Sequence, residues 1–528
     1  MFKEIKSGEE AKEAMLSGMK KLADAVGSTL GPNGSTVVLC EPNKTPHVTK
    51  DGVSVAKEIE FSDFFENAGA QLLKETAIRT LNTVGDSTTT STILGYELCK
   101  EINRSQTEKQ SLKRDIKEAT KKVVENIKSQ AITIKDEQIK DIATISANND
   151  PEIGSLIADA FTKIGRDGVI TVEESKDSKT TVDVVSGMQF DRGYEVPHFV
   201  TDTTKDQCVL ENPCILITEH RINNLREIKD ILTYALHENK PLFIIAEAYD
   251  DAVIEALKIN VLNKTIKCCA ITAPSYGEYR KMILNDLAIL TNGFNVSYDS
   301  GMELSDCTES VLGTCKRVVV TKEKTTITEG SGKQENIDSR VTDLKAELQR
   351  IQDDSTQQGS FMETFLKERI AKLTGGVCII HVGGKTELEM IERKDRIDDA
   401  VCATQAAIEE GIVPGGGLTY LNALDEFDDV PVTDEATSII NCVLFEPFTR
   451  IVESAGKDVD TVLDEMDTKG KNAGFDGVTG TVVPDMIKAG IIDPAKAVRL
   501  AFENAISIGL LFLDTEYIVA PQMAQSII

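Results

Sequence analysis

The chain has 528 residues, 41% hydrophobic and 27% charged, with 36 glycines and 14 prolines. These proportions exclude a disordered, collagen-like or low-complexity protein, and no 18-residue apolar run marks a membrane span. Fifty-eight Lys and Arg against 86 Asp and Glu give a net charge of −28, a field that repels phosphate backbones and argues against a nucleic-acid partner.

At about 150 residues per domain the length predicts two to four domains. Met1 to Glu10 mixes Lys and Glu with few apolar residues, unlike a secretory or organelle leader, and predicts a cytoplasmic protein. Ala11, Met15, Met19, Leu22 and Val26 recur every three to four residues and predict a first helix; Phe65, Ala68, Leu72, Thr76 and Thr80 predict a second. Short strand signals, Thr36 to Cys40 and His47 to Val48, lie between them and are broken by Gly-Pro-Asn-Gly and Pro-Asn turns. This block reads as a helical domain carrying a small hairpin.

From about residue 213 the pattern becomes an alternation. Apolar runs Cys214 to Thr218, Leu242 to Ala246 and Ile266 to Ala273 are separated by helical stretches at 223–237 and 251–263, which predicts an α/β domain with parallel strand pairing. Polar helices follow at 336–354 and 361–374, and Gly375-Gly376 ends the module. A helix at 386–410 opens a largely helical remainder, interrupted by a Gly-rich patch at 470–480, and no 20–50-residue repeat supports a solenoid. The eleven cysteines show no C-x-x-C and read as buried, reduced thiols. The five scattered histidines receive no catalytic role.

Val84-Gly85-Asp86-Ser87-Thr88-Thr89-Thr90-Ser91-Thr92 is the segment richest in chemistry. Small hydroxyl residues at a helix start leave backbone N–H groups open to an anion, and an aspartate there can hold a divalent cation bridging phosphates. The same segment also fits an ordinary N-cap with a Thr-rich first turn. Three glycine turns accompany it: Thr29-Leu30-Gly31-Pro32-Asn33-Gly34, Thr49-Lys50-Asp51-Gly52 and Val413-Pro414-Gly415-Gly416-Gly417. Each alone is a turn; together they suggest a phosphate-binding protein.

TLGPNG, TKDGVSVAKEIE, GDSTTT, TISAN, GMQFDRGY, KLTGG, RIDDA, PGGG and IIDPAK follow one another along the chain, and in this order and spacing they resemble the group I chaperonins, the GroEL type. The resemblance spans nearly the whole chain and implies a multidomain, α-rich α+β chaperonin fold. It assigns 1–131 and 408–528 to a helical equatorial ATP-binding domain, 132–187 and 376–407 to a small intermediate domain, and 188–375 to an α/β apical domain. Gly187 and Gly375-Gly376 then fall at the apical hinge.

By the same resemblance Thr29, Leu30, Gly31, Pro32, Lys50, Asp86, Ser87, Thr88, Thr89 and Thr90 contact the phosphates and metals of ATP. Asp86 would hold Mg²⁺, and the backbone oxygens of Thr29 and Lys50 would hold K⁺. Gly416 and Asp493 match the nucleoside side. Asp399, the second carboxylate of RIDDA, matches the residue that orients the attacking water, with Asp51 as a second candidate; on sequence alone each reads as a solvated helix or turn charge, so these roles rest on the resemblance.

Non-native polypeptides would dock on apical apolar positions matching Tyr194, Val196, Phe199, Leu232, Ile254, Leu257, Ile259 and Asn260, several of which could instead pack the apical core. The chain departs from the family at several points. Ser87 replaces a usual glycine, Lys229 and Lys258 stand at usually aliphatic groove positions, and His198 stands for an aromatic. An ammonium weakens apolar docking while its stem still packs, so binding of a GroES-type lid is expected to be weakened, altered or absent. Gly456-Lys457-Asp458-Val459-Asp460 and Thr449 change the contact between stacked rings, leaving a single or a double seven-membered ring open. The end of the chain, Met523 to Ile528, lacks the Gly-Gly-Met tail common in bacterial members. Such divergence suits a paralogue or a virus-encoded copy in a bacterial cytoplasm.

The expected function is thus an ATP-hydrolysing chaperonin that captures non-native chains and releases them through domain movement. The rival readings are a ring-forming scaffold that has lost productive cycling and a small-molecule kinase, for which no acceptor site is found. The retained Asp51, Asp86 and Asp399 favour the ATPase.

Overall fold

The computed structural model describes residues 3–40, 46–166, 168–175, 179–203, 205–353, 360–424 and 432–521; the C-terminal sequence noted above lies outside them. Its helices, in chain order, begin with α1 (Gly8–Gly27), α2 (Gly52–Glu58), α3 (Phe64–Val84), α4 (Thr88–Arg104), α5 (Lys109–Gln130), α6 (Asp136–Ser146) and α7 (Pro151–Ile164). Then come α8 (Lys229–His237), α9 (Asp251–Leu262), α10 (Gly277–Thr291), α11 (Gln334–Asp353) and α12 (Phe361–Gly375). The last are α13 (Glu387–Glu410), α14 (Leu418–Leu421), α15 (Asp434–Ser454), α16 (Val459–Lys469) and α17 (Ala495–Asp514). Two compact units result: Met1–Asp159 with Ile391–Ile528, and Ala160–Met390. The chain passes between them within α7 and α13.

The first unit is helical. The predicted stripe of α1, Ala11, Met15, Met19, Leu22 and Val26, is buried. In α3, Phe65, Thr76 and Thr80 are buried as the period implies, whereas Ala68 and Leu72 are half-buried and Leu73 and Ala77 take the core positions. Gly18 and Gly69 let these two helices meet backbone to backbone: a Cβ on Gly18 would collide with the Glu66 carbonyl, and one on Gly69 with that of Met15. Leu94, Leu98, Phe502 and Phe512 of α4 and α17 complete the same core. The hairpin forms at Val37–Leu39 and His47–Thr49, antiparallel, and strand Lys3–Ser7 pairs antiparallel with Tyr517–Pro521. The Gly-rich patch contains a further antiparallel pair, Gly474–Asp476 with Thr481–Val483.

The second unit holds an eight-stranded mixed sheet. Its parallel part is the one the alternation predicts: Leu242–Ala246 lies between Cys214–Thr218 and Cys268–Thr272, parallel to both. All five residues of the two inner strands are buried, which is why they read as continuous apolar runs instead of alternating. Asn295–Val296 adds a short parallel pairing to Cys214–Thr218, and the remaining strands, among them Gly313–Val320 and Thr325–Gly330, pair antiparallel. The predicted helix at 223–237 starts as a 3-10 turn, Leu225–Ile228, before α8.

Buried Asp286 of α10 accepts hydrogen bonds from Arg369 of α12 at 2.7 and 2.9 Å and from Arg340 of α11 at 2.9 Å, tying three helices together. A smaller sheet places Val377–Val382 between Val169–Glu174, parallel, and Thr181–Val185, antiparallel. Gly376 has φ 65°, so it needs the left-handed freedom of glycine. Gly187 is required for a different reason: a Cβ there would lie 2.6 Å from the Ile327 carbonyl oxygen.

None of the eleven cysteines forms a disulfide, and eight are buried as expected. Cys40, Cys402 and Cys442 are exposed, which corrects the wholly buried expectation. No described helix is long and apolar enough to cross a membrane.

Candidate functional site

A cavity of about 350 Å³ opens within the first unit. Its wall brings together the four glycine-containing segments, from residues 29 to 417, with α13, the α6–α7 connection and Asp493. Thr29, Leu30, Gly31, Pro32, Lys50, Asp51, Asp86, Ser87, Thr88, Thr89, Thr90, Asp399, Gly416 and Asp493 all line it.

The polar end is built from helix starts. α3 stops at Gly85, φ 68°, and α4 begins after Ser87 without a side-chain cap, so its first N–H groups remain for an anion. Ser87 is itself left-handed, φ 62°. The Gly-to-Ser departure therefore carries a conformational cost, because a left-handed residue bearing a Cβ costs about 1–2 kcal/mol. Thr88 and Thr29 are buried, and the Thr29 hydroxyl lies 3.3 Å from that of Thr89. Gly52 is enclosed by the same hydroxyls: a Cβ there would collide with Thr89 Oγ1 and sit 3.3 Å from Thr29 Oγ1. A Cβ on Gly34 would collide with the Thr29 carbonyl oxygen, so glycine keeps that oxygen open.

Asp51 caps α2, accepting from Val53 N at 3.2 Å and Ser54 N at 2.8 Å. Its part in the fold is thus secured whatever else it does. Asp86 accepts from the Ser146 hydroxyl at 2.8 Å and from Ser87 N. Burial raises its pKa, and these two hydrogen bonds oppose the rise. Asp399, projecting from α13, is pushed well above the usual carboxylate range, first by burial and then by the charges of Asp51 and Asp86. Burial, with Asp86 as the second cause, holds Asp493 at about 7.

Seven carboxylates line this cavity, namely Asp51, Asp86, Glu392, Asp395, Asp399, Asp476 and Asp493, against two bases, Lys50 and Arg396. Such a wall repels a bare polyphosphate and accepts one whose charge is carried on a cation. The donors are carboxylate, hydroxyl and carbonyl oxygens, the set that hard cations such as Mg²⁺ prefer. Among the described residues no three His, Cys, Asp or Glu side chains converge on a metal position. A Mg²⁺ bound through substrate phosphates needs only one or two carboxylates, so the residues fit a metal shared with a nucleotide.

The wall is apolar in part: Pro447, Ile451, Phe475, Val478, Ile491 and Val498 line it, with Gly416 against the Phe475 carbonyl. The Pro-Gly-Gly-Gly turn reaches it because Gly416 and Gly417 have φ of 64° and 80°, and a Cβ on Gly417 would lie 2.9 Å from Phe448 N. Sequence reasoning missed Ser146, Asn148 and Asn149 of the TISAN segment and its neighbour, and Glu392, Asp395 and Arg396 on α13. Helical spacing held the missing signal, since 392, 395, 396 and 399 share one face.

In the second unit the eight apical candidates divide. Ile259 is 54% exposed, and Tyr194, Val196, Leu232, Ile254 and Asn260 are half-buried. Phe199 and Leu257 are fully buried in the core and offer no surface, a correction with a simple cause: on α9 the i, i+4 positions Val253 and Leu257 face the sheet. Leu236 and Leu262, not singled out from sequence, are 46% and 57% exposed. Lys229 and His198 are exposed, and Lys258 pairs with Glu255 of its own helix at 3.0 Å.

Residues 22–522 match the family model of the TCP-1/cpn60 chaperonin family. Among solved structures, the chaperonin gp146 from bacteriophage EL 2 (Pseudomonas aeruginosa), crystallised in the presence of ATP-BeFx, is similar in two crystal forms. Form II aligns with a TM-score of 0.71 and form I with 0.64, each at 20% identity over 98% of this chain and 99% of the other.

Proposed function

Because the chain belongs to the TCP-1/cpn60 chaperonin family, we propose that it is an ATP-driven chaperonin and that the cavity of the first unit is its ATPase site. The observation that carries this reading is the meeting of Asp399 with Asp51 and Asp86 in one cavity whose wall also holds the Thr-rich start of α4 and several apolar side chains.

In this reading the N–H groups opening α4 and the hydroxyls of Thr88, Thr89 and Thr90 hold the phosphates, and Asp86 holds Mg²⁺ together with them. The backbone oxygens of Thr29 and Lys50 hold K⁺. When bound, the cations neutralise phosphate charge and polarise the terminal phosphoryl group. Asp399 positions the attacking water and takes its proton; its raised pKa makes it a stronger base than an ordinary aspartate. Asp51, with both oxygens accepting from α2, supports the field around Asp399. Gly416 and Asp493 face the nucleoside.

The division into equatorial (1–131, 408–528), intermediate (132–187, 376–407) and apical (188–375) domains belongs to the same proposal, as does assembly into a seven-membered ring. Client polypeptides dock on exposed apical side chains, chiefly Ile259 with Leu236 and Leu262, since apolar burial is non-directional and accepts many sequences. Exposed Lys229 and His198 disfavour a tightly bound GroES-type lid.

The deciding experiment is refolding of an aggregation-prone client with ATP, Mg²⁺ and K⁺, without a lid, by the wild type and by Asp399→Ala. Recovery by the wild type that disappears in the variant supports the reading. Absence of ATP turnover in the wild type overturns it in favour of a ring scaffold.

A further inference from the structure

Arg396 and Arg393 lie three residues apart on α13, and in both the buried Nε has no hydrogen-bond partner. Their surroundings differ. Arg393 donates from Nη2 to Glu152 at 3.0 Å and does not line the cavity. Arg396 does line it. Its Nη2 meets Glu392 at 2.7 Å, a good ion pair, but its Nη1 reaches Asp150 only at 3.4 Å. The guanidinium is thus held in place while one buried donor is unused and another is weakly used. Leaving a buried donor unpaired is unfavourable, and an arginine fork suits a phosphate better than a single carboxylate oxygen.

Position along the cavity says which phosphate. Asp399, three residues on and on the same face of α13, interacts with Asp51 and Asp86 at the polar end. Arg396 lies about one turn, roughly 5 Å, from Asp399 along α13, where its Nη1 faces Asp150 of the α6–α7 connection. Lys50, the other base of the wall, is exposed, so Arg396 is the less hydrated of the two cations facing an otherwise acidic site.

We infer that Arg396 contacts the terminal phosphate of the bound nucleotide and so makes the site favour a nucleoside triphosphate over a diphosphate. The inference rests on the ATP-site reading above. Its energetic basis is a charge-assisted fork to an oxygen that only the triphosphate carries, in a setting where other nearby groups repel that oxygen.

The test is equilibrium titration of the full-length protein with Mg²⁺·AMP-PNP and with Mg²⁺·ADP, which reads binding without turnover. Arg396→Ala is expected to weaken AMP-PNP by about 10- to 100-fold and ADP by less than about 3-fold, with Arg396→Lys in between. Arg393→Ala, which removes the neighbouring orphaned donor outside the cavity, is expected to leave the ratio of the two affinities unchanged. Equal weakening of both nucleotides, or of neither, in Arg396→Ala overturns the inference; if that variant does not fold, the same readings from Arg396→Lys decide. Failure of the wild type to bind either nucleotide overturns the ATP-site reading itself, and the inference with it.

Discussion

Asp493 gives the sharpest quantitative test of the acidic cavity. Its carboxyl is held at about 7 against an ordinary 3.8, so ionising it in the folded, nucleotide-free protein costs roughly 4 kcal/mol. The folded state therefore binds this proton more tightly than the unfolded state. The associated stability is fully present below about pH 3.8 and is lost as pH rises through about 7.

Asp493→Asn removes the titration. The variant should be more stable than the wild type by about 2 kcal/mol at pH 5 and about 4 kcal/mol at pH 8, both upper values because the side chain still faces the cavity. The unit that carries it has about 300 residues, for which unfolding entropy near 2.1 cal/mol/K per residue gives roughly 0.6 kcal/mol/K. Calorimetry without nucleotide should then show a Tm gap of about 3 °C at pH 5 widening to about 6–7 °C at pH 8. A gap independent of pH, or a variant less stable at pH 8, refutes the argument that this aspartate is a buried charge held for a cationic or polar ligand.

Asp399→Ala should slow ATP turnover by at least about 100-fold in a steady-state assay while leaving the Kd for nucleotide within a few-fold, as removal of a general base does. Asp86→Ala should instead weaken Mg²⁺·nucleotide binding measured by calorimetry, with little effect on binding of nucleotide in the presence of chelator. Ser87→Gly should raise stability by about 1 kcal/mol, read as a higher denaturation midpoint at unchanged slope, because it relieves the left-handed serine. Asp286→Asn should destabilise the second unit by about 3–5 kcal/mol, leaving the buried Arg369 charge and that of Arg340 without a counter-ion; limited proteolysis of that unit should accelerate accordingly.

Local rules account for the elements that the sequence made legible. The three to four residue period of α1 and the apolar runs of the two inner parallel strands carry their burial pattern within a few consecutive residues, and the structure keeps their boundaries to within a residue or two. The motifs around Thr29, Lys50, Asp86 and Gly416 were equally visible, because each is a turn chemistry at a helix or strand end, whereas Asp493 was reached only through the family resemblance.

Tertiary structure decided what depends on distance across the chain. Periodicity and turn chemistry cannot say that Asp51, Asp86, Asp399 and Asp493 share one low-dielectric wall, and it is burial there, with neighbouring carboxylates as the second cause, that raises the pKa of Asp399 and Asp493. Nor can they tell Phe199 and Leu257, which face the core, from Ile259 and Leu262, which face solvent, since a short amphipathic helix shows its period but not which neighbour covers each side. The left-handed backbone of Ser87 and the unpaired Nε of Arg396 are likewise properties of the folded chain: strain and unsatisfied hydrogen bonding arise only when distant segments fix a residue where its local preferences would not.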